Sequence, residues 1–504
     1  MKRLYLLLVT VVLFSGSLLA QNGLSPASYP NLALEFSNQN MNGNPLSFMP
    51  SVADGYGFGS YVDNPASMAF LKESQFSFSL FNQNTQTENT YLGNEIDAEH
   101  SATKLGDMGF VYKFPTRQGS FVIGGGYNRT TSTNSAYRVS GRNNDNTITD
   151  SFLDPNSEYN ELAFQTYAID WGDVDSTYLE SIFRIGFPPG TFPGIDQEAD
   201  IRYSTYMGEY SFFAATEFMK DLFFGFSASY VSGEYTYRRD FLEYDSQNDY
   251  DGTFIEGSDI DNIFVQDEID VDVYGGKYRA GIVYKIFSGV NIGASYMLPA
   301  TIRVSENYYS SIETSLDDGS EPFFYDVASD GGFRYRIEQP GELKIGAALK
   351  DLAGFSVSAS AEYINYENME IDFISDSDLR LVDEVDLRAQ QEDLNGFMES
   401  NYNSVTNFKI GVGKQLNDQA GIRAAYSFRP AISELTPGDT KIYSAGFDIK
   451  LGNGFIMDVS GHYLTKDDRS ELYNYIDFDD QPQSTTFDIS KQDVRIQVGF
   501  KVLF

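Results

Sequence analysis

The chain contains two histidines, and one of them has neighbours of the kind that nucleophilic catalysis uses. Asp458, Ser460 and His462 are spaced two residues apart, so they share one face of a strand. A hydrolase needs a Ser–His pair of this kind and a third group that orients the histidine. The same spacing also describes any polar lumenal face, and His100 falls in a predicted loop. We therefore expect no enzymatic activity and no catalytic residue.

Carboxylates are the most abundant charged groups, with 72 Asp and Glu against 35 Lys and Arg and a net charge of -37. They are concentrated in residues 239–270, 376–393 and 467–480, where they could hold structural calcium or bridge to surface lipopolysaccharide. Residues 248–252, Asn-Asp-Tyr-Asp-Gly, are only a fragment of an EF-hand loop. Our default expectation is a solvated acidic loop surface with no cofactor or metal, open to a protein partner. Nucleic acid is not expected as a partner, because phosphate binding needs clustered Lys and Arg.

The first twenty residues, Met1–Ala20, have the pattern of a secretory signal peptide. Lys2 and Arg3 precede an apolar run, Leu4 to Phe14, that is too short to span a bilayer. No other stretch reaches the ~20 apolar residues that a membrane helix needs. The absence of cysteine excludes disulfides, thiolate metal sites and a lipoprotein anchor. An exported chain of this kind can enter a membrane only as a β-barrel.

The last eleven residues, Val494 to Phe504, alternate strictly between apolar and polar side chains. A chain that ends on an aromatic residue in such a pattern resembles the final strand of bacterial outer-membrane β-barrels. In those proteins this strand pairs with the first strand and is the signal for the barrel-assembly machinery, which we therefore expect as a partner through Phe504. The face predicted to meet lipid comprises Val494, Ile496, Val498, Phe500, Val502 and Phe504.

Alternating segments of this type recur along the chain and predict about fourteen strands of a transmembrane antiparallel β-barrel. Their connections largely alternate between short turns and long polar loops, as in barrels with short periplasmic turns and long extracellular loops. The predicted strands are 75–83, 104–114, 119–129, 202–218, 222–237, 270–287, 289–304, 331–350, 354–367, 404–415, 419–430, 439–451, 454–466 and 492–504.

One long loop contains an apolar stripe with helical spacing. Phe164, Tyr167, Ala168 and Trp171 recur at i, i+3, i+4 and i+7. The stripe either packs the loop onto the barrel rim or offers an apolar landing surface at the extracellular mouth. The second interpretation makes Phe164, Tyr167 and Trp171 candidate ligand contacts.

Residues 21–74 have no strand pattern and contain a more specific signal. Asn64-Pro65-Ala66-Ser67-Met68, followed by Lys72 and by Gln75-Phe76-Ser77, resembles the junction between hatch and barrel in the FadL/TodX transporters of long-chain fatty acids and hydrocarbons. The likeness is specific over residues 63–78 and otherwise rests on the architecture. It marks Asn64, Pro65, Ala66 and Met68 as the hatch motif.

This resemblance implies three parts: a signal peptide (1–20), a hatch that plugs the lumen (21–74) and the barrel (75–504). It further implies an outer-membrane protein of a Gram-negative bacterium that is surrounded by outer-membrane lipids. Hydrophobic ligand would be captured outside, held in the lumen and released sideways beside an inward kink of the third strand. Gly124-Gly125-Gly126 lies in the predicted third strand, where glycines mark bends or close packing against the hatch.

A fatty acid also requires cations for its carboxylate, because an unpaired buried charge is costly. Strand alternation directs several basic side chains inward, where each either anchors a carboxylate or forms lumenal ion pairs. We take five of them as candidate anchors and two as further inward cations: Arg279, Lys344, Arg423, Arg429 and Arg495, then Lys285 and Lys501.

Two other functions are compatible with the same fold. FadL-like barrels also serve as scaffold or shuttle subunits of secretion machinery, and the acidic loops would suit a protein cargo. A transporter needs a continuous lumen with a lateral gap, whereas a scaffold can be filled. A water-filled general porin is disfavoured by the plug-like amino terminus.

Overall fold

The computed structural model describes residues 25–155, 157–173, 175–188, 191–250, 259–329, 332–375, 381–452, 454–477 and 481–504. The predicted signal peptide lies outside these residues, as do residues 21–24 of the predicted hatch. Among the described residues, no helix is long and apolar enough to cross a bilayer.

The sheet is a closed antiparallel barrel of fourteen strands, as the sequence predicts. It closes where the last strand pairs with the first, from Gln75↔Leu503 to Thr90↔Asp488. The backbone N–H of Phe504 adds a bond of 3.0 Å to the carbonyl of Ser74. Recognition of this end by the assembly machinery stays a prediction.

The strands of the first half are long and mostly continuous. β9 and β10 continue one another beside β8 and make one barrel strand, interrupted at 298–299. β4 and β5 form a separate hairpin in the loop after β3. Their bounds are β1 Gln75–Tyr91, β2 Asn94–Lys113, β3 Phe121–Asn143, β4 Ile169–Trp171, β5 Leu179–Ser181, β6 Ile195–Met219, β7 Leu222–Tyr244, β8 Ile260–Phe287, β9 Val290–Met297 and β10 Ala300–Leu316.

The second half completes the barrel with shorter pieces. β12 and β13 make one barrel strand, β14 and β15 make the next, and β11 extends the sheet beside β10. Their bounds are β11 Phe323–Ala328, β12 Phe333–Gln339, β13 Glu342–Leu352, β14 Phe355–Asn365, β15 Glu370–Asp372, β16 Ser404–Gln415, β17 Ala420–Arg429, β18 Thr440–Gly452, β19 Phe455–Ile476 and β20 Pro482–Leu503.

The outward faces carry the apolar residues that the alternation predicts. On β20, Ile496 is 54% exposed, whereas its neighbours Arg495 and Gln497 are buried. Transfer of such side chains into lipid is favourable by about 25 cal/mol per Å², and the outward apolar band extends around the wall. The predicted outward and inward assignments of β20 are therefore confirmed.

Several strands run beyond the predicted ends, so three expected loops are shorter than the sequence suggested. β1 and β2 meet at a tight turn, Leu92–Gly93, where both residues have positive φ. His100 consequently lies in β2 and not in a loop. The acidic stretches 239–270 and 467–480 are largely strand as well. The sequence did not reveal these extensions, because the apolar alternation disappears there although backbone pairing continues.

The helices also differ from the predictions. α1, Tyr29–Ser37, lies in the N-terminal segment, residues 25–74. α3, Leu381–Asn401, occupies most of the acidic stretch 376–393, which we expected to be an irregular loop. α2 spans Glu158–Gln165 and ends before Tyr167, whose φ is +58°. The predicted helical stripe to Trp171 is therefore wrong, since Trp171 belongs to β4. Three short 3-10 helices, Phe58–Val62, Pro65–Phe70 and Ile148–Phe152, precede α2, and a fourth, Tyr366–Asn368, follows β14.

Residues 25–74 lie inside the barrel, because they contact strands on opposite sides of it. Gln339 of β12 donates to the carbonyl of Phe36 (2.6 Å), and Asn128 of β3 accepts from the N–H of Gly43 (3.0 Å). The side-chain amide of Asn64 donates to the carbonyl of Ile282 on β8 (3.2 Å). The wall comes so close here that a Cβ atom on Gly281 would lie 1.9 Å from Asn64 Oδ1.

We expect Gly281→Ala to lower the free energy of unfolding by about 1–3 kcal/mol, because the new methyl group displaces Asn64 from its bonds. Gly276→Ala is the matched control on the same strand, since its Cβ would have no neighbour nearer than 3.8 Å. Thermal unfolding in detergent, followed by circular dichroism, measures both variants. Equal stability of the two variants would contradict the close packing of Asn64 against β8.

Candidate functional site

The predicted hatch motif forms one turn of 3-10 helix whose first residues are fixed to the wall. Asn64 caps this turn by accepting from the N–H of Ala66 (2.9 Å). Its amide group also donates to the carbonyls of Val52 (2.6 Å) and Ala294 (3.3 Å). Pro65, Ala66 and Met68 are buried beneath β6, β7 and β8. An amide is required at position 64 because it donates and accepts at the same time.

Two adjoining cavities lie between the N-terminal segment and the wall formed by β14 and β16–β20. The inner cavity has a volume of about 120 Å³ and the outer one about 190 Å³, counted as the space open to the centre of a water molecule. The two cavities adjoin each other, because both are lined by Asn40, Asn407, Arg429, Leu464, Asp493 and Arg495. The outer cavity also reaches residues 430–440 in the loop after β17 and residues 132–133 of β3.

Three of the five candidate anchor residues are neutralised by carboxylates. Arg279 forms a bidentate pair with Glu209, at 2.7 and 2.8 Å, and both side chains are buried. Arg423 is paired with Asp448. Lys344 lies 2.8 Å from Glu362 and 3.3 Å from Glu342. Of the two further inward cations, Lys501 is paired with Asp458 (2.6 Å), and Lys285 lies over the ring of Phe223.

Arg429 and Arg495 differ, because both line the two cavities and neither donates a hydrogen bond to a carboxylate of the described residues. Arg429 donates to Asn38 Oδ1 (3.3 Å) and has no ion pair among the described residues. Arg495 lies 4.0 Å from Asp493, and its Nε has no hydrogen-bond partner within the described part of the chain. A ligand carboxylate could therefore complete the bonding of either guanidinium.

Besides Arg429, Arg495 and Lys344, the inner cavity is lined by a fourth cation that sequence reasoning missed, Lys409. It lies 3.8 Å from Asp63 of the N-terminal segment. The sequence could have predicted this inward position, because Lys409 alternates with the outward-facing Phe408 and Ile410 on β16.

His462 also lines the inner cavity but is held by neutral groups. Its Nδ1 is 2.9 Å from Ser444 Oγ, and its Nε2 is 3.1 Å from Ser460 Oγ and 2.9 Å from Gln497 Oε1. Asp458 pairs with Lys501 instead of orienting the imidazole. The arrangement provides hydrogen bonds to the cavity but differs from a catalytic triad, in which a carboxylate orients the histidine beside the serine.

The third barrel strand leaves the wall shortly after its three glycines. Gly124 and Gly125 still pair with β2, and Gly126, with φ of +153°, packs so tightly that a Cβ would lie 2.3 Å from the carbonyl of Met108. Pairing with β2 ends at Asp107↔Asn128, and a bulge at Thr130 follows in the pairing with β6. Residues 128–137 are all buried, whereas a wall strand would alternate.

This stretch of β3 packs on the N-terminal segment instead of on β2. The N–H groups of Met41 and Gly43 donate to the carbonyls of Thr130 (3.1 Å) and Arg129 (2.9 Å). Between β2 and β3, side-chain contacts such as Lys104 Nζ to Asn134 Oδ1 (3.0 Å) replace the backbone ladder. The wall therefore has a seam above Asp107, and we call the facing residues 94–106 of β2 and 129–143 of β3 the β2/β3 seam.

The candidate extracellular residues form an aromatic group outside the barrel. Phe164 contacts Trp171 with ring centroids 6.0 Å apart, and Tyr167 contacts Phe323 of β11 at 4.8 Å. Tyr167 and Trp171 are each about two-fifths exposed, at 41% and 42%. The group thus packs two loops together and still presents aromatic surface, so both sequence interpretations remain open.

Within the described ranges, no group of three or more His, Asp or Glu side chains is arranged to hold a metal ion. Residues 251–258, 376–380 and 478–480 of the acidic stretches lie outside those ranges. Calcium binding there stays a prediction.

Comparison with solved structures identifies the architecture. The P. putida toluene transporter TodX matches with a TM-score of 0.51 at 13% sequence identity, over 90% of this chain and 95% of that chain. A Pseudomonas aeruginosa FadL homologue matches with a TM-score of 0.50 at 11% identity, over 92% and 99%. The chain has the FadL/TodX fold. No protein-family model and no curated protein matches the sequence.

Within this fold, the chain has two candidate functional features: the cavities lined by Arg429 and Arg495, and the β2/β3 seam.

We expect backbone amides of β2 that face β3 to exchange with deuterium rapidly above Asp107 and slowly between Asp107 and Lys113, because only the lower ones are paired. Residue-resolved hydrogen exchange in detergent measures this. Uniform protection along β2 would contradict the seam.

Proposed function

We propose that the protein is a passive transporter of hydrophobic small molecules in the outer membrane of a Gram-negative bacterium, not an enzyme. Among such molecules, long-chain fatty acids fit better than hydrocarbons. The observation that carries this proposal is the pair Arg429 and Arg495. Both line the cavities, Arg429 has no ion pair among the described residues, and Arg495 lies 4.0 Å from Asp493 without a hydrogen bond to it. A hydrocarbon offers nothing to these guanidinium groups, whereas a carboxylate would satisfy them.

The likeness to solved structures supports the transport class. TodX is described as a toluene transporter, and the P. aeruginosa protein as a FadL homologue. In our proposal the ligand is captured at the extracellular loops, where Tyr167 and Trp171 present aromatic surface. It then enters the outer cavity and binds near Arg429 and Arg495.

Lateral release through the β2/β3 seam is the last step of the proposal. The outer cavity reaches Ser132 and Thr133, which belong to the inward stretch of β3. A ligand at Arg495 is therefore next to that stretch, because Arg495 itself contacts the carbonyl of Ser132 (3.5 Å). The N-terminal segment blocks the straight path to the periplasm, so a sideways exit is the shorter route.

We expect Arg429→Gln and Arg495→Gln each to weaken binding of a long-chain fatty acid by about tenfold or more, since each removes a charge-assisted hydrogen bond. Binding of the alcohol of the same length should change little. Arg202→Gln, an exposed residue paired with Asp200, is the matched control. Titration calorimetry in detergent measures all three, and equal losses for acid and alcohol would contradict carboxylate recognition.

The absence of cysteine allows a direct test of lateral release. Lys104→Cys with Asn134→Cys, joined by a short bismaleimide, ties the two sides of the seam together, and we expect fatty acid uptake into proteoliposomes to stop. Lys113→Cys with Val122→Cys, joined in the same way, is the control, since these residues are already paired. Unchanged uptake through the cross-linked seam would overturn lateral release.

A secretion scaffold is the alternative outcome of these experiments. It predicts no fatty acid binding to the wild-type protein and a protein partner that co-purifies with it. The acidic extracellular loops are where such a partner would bind.

A further inference from the structure

The short-turn end of the barrel, which faces the periplasm in barrels of this kind, carries exposed cations beside carboxylates such as Glu73, Asp221 and Asp418. Cations lie at or next to its turns and strand ends, although the net charge of the chain is -37. We call the exposed ones the basic rim. It comprises Lys72 before β1, Arg117 between β2 and β3, Lys220 between β6 and β7, Lys414 near the end of β16 and Lys450 near the end of β18.

None of the five cations of the basic rim has an ion pair among the described residues. Three exposed cations at the opposite end are neutralised. Arg138 and Arg202 both bind Asp200, at 2.9 and 2.8 Å, and Arg238 binds Asp270 at 3.1 Å. The rim cations are therefore available to a partner, whereas Arg138, Arg202 and Arg238 already have carboxylate partners.

The basic rim lies directly beside apolar surface. Lys220 follows Phe218 and Met219, which are 68% and 56% exposed. The ammonium group of Lys414 is 4.2 Å from the ring centroid of Phe355, which is itself an outward residue. Lysines in such positions extend their alkyl stems along the apolar band and place the ammonium group at the level of lipid headgroups.

We propose that the basic rim binds the phosphate headgroups of anionic phospholipids in the periplasmic leaflet. A lipid surface fits better than an acidic protein, because the cations are spread around the circumference at separate turns and follow the edge of the apolar band. Each cation near an anionic lipid surface contributes a favourable interaction that salt weakens. The rim would also fix the depth and orientation of the barrel in an asymmetric membrane.

The test uses the full mature chain in detergent, titrated with phosphatidylglycerol or phosphatidylethanolamine and observed by native mass spectrometry. We expect the wild type to retain phosphatidylglycerol in preference to phosphatidylethanolamine. Loss of one rim cation should lower the retention of the phosphatidylglycerol bound to it by roughly fivefold. The rim variant combines K72Q, R117Q, K220Q, K414Q and K450Q. The matched control combines R138Q, R202Q and R238Q at the extracellular end and should retain the lipid as the wild type does.

Heat-dependent mobility in gel electrophoresis establishes that both variants are folded, and K220Q and K414Q alone serve if the combined variant is not. Equal retention of the two lipids by the wild type, or equal loss in the rim and control variants, would overturn the proposal. Loss of a co-purifying acidic periplasmic protein in the rim variant, with lipid retention unchanged, would overturn it in favour of a protein partner.

Discussion

Backbone hydrogen bonding in the absence of water is the constraint on which the structure depends. A strand in a bilayer must pair on both edges, and only a closed barrel meets this demand. The chain does so around most of its circumference and closes between β1 and β20. One break in this pairing among the described strands is the β2/β3 seam, where β3 turns inward and pairs with new partners in the N-terminal segment. Those partners allow a gap without leaving this stretch of β3 unsatisfied.

The same N-terminal segment determines the charge balance of the lumen. Asp63 lies 3.8 Å from both Lys344 and Lys409, and Asp54 pairs with Lys350 near the short-turn end. Such buried pairs are costly to break from one side, so they fix the segment within the barrel. Among the described residues, Arg429, Arg495 and Lys491 line the cavities without a hydrogen bond to a carboxylate, and Arg495 keeps an unbonded Nε. The cations that the ion-pair network leaves without a bonded carboxylate are therefore the ones that can bind a ligand carboxylate.

The sequence predicted the barrel well because lipid on one side and a polar lumen on the other impose a period of two. It placed the turns at Lys220–Asp221 and Ser288–Gly289 where the structure has them. It failed where that contrast disappears, in the extension of β2 that carries His100, and in α3, whose polar residues have little apolar periodicity. Alternation also directed seven basic residues inward but could not separate paired Arg279 from unpaired Arg429, because partners on distant strands are a property of the closed fold.

The central claim is that a fatty acid carboxylate binds at Arg429 and Arg495 and that its acyl chain points towards the inward stretch of β3. The most direct measurement is an experimental structure of the protein with a fatty acid brominated at the end of its chain. We predict carboxylate density within hydrogen-bonding distance of the two guanidinium groups and the bromine signal beside Ser132 and Thr133. Bromine signal only on the outer surface, with an empty lumen, would contradict the account.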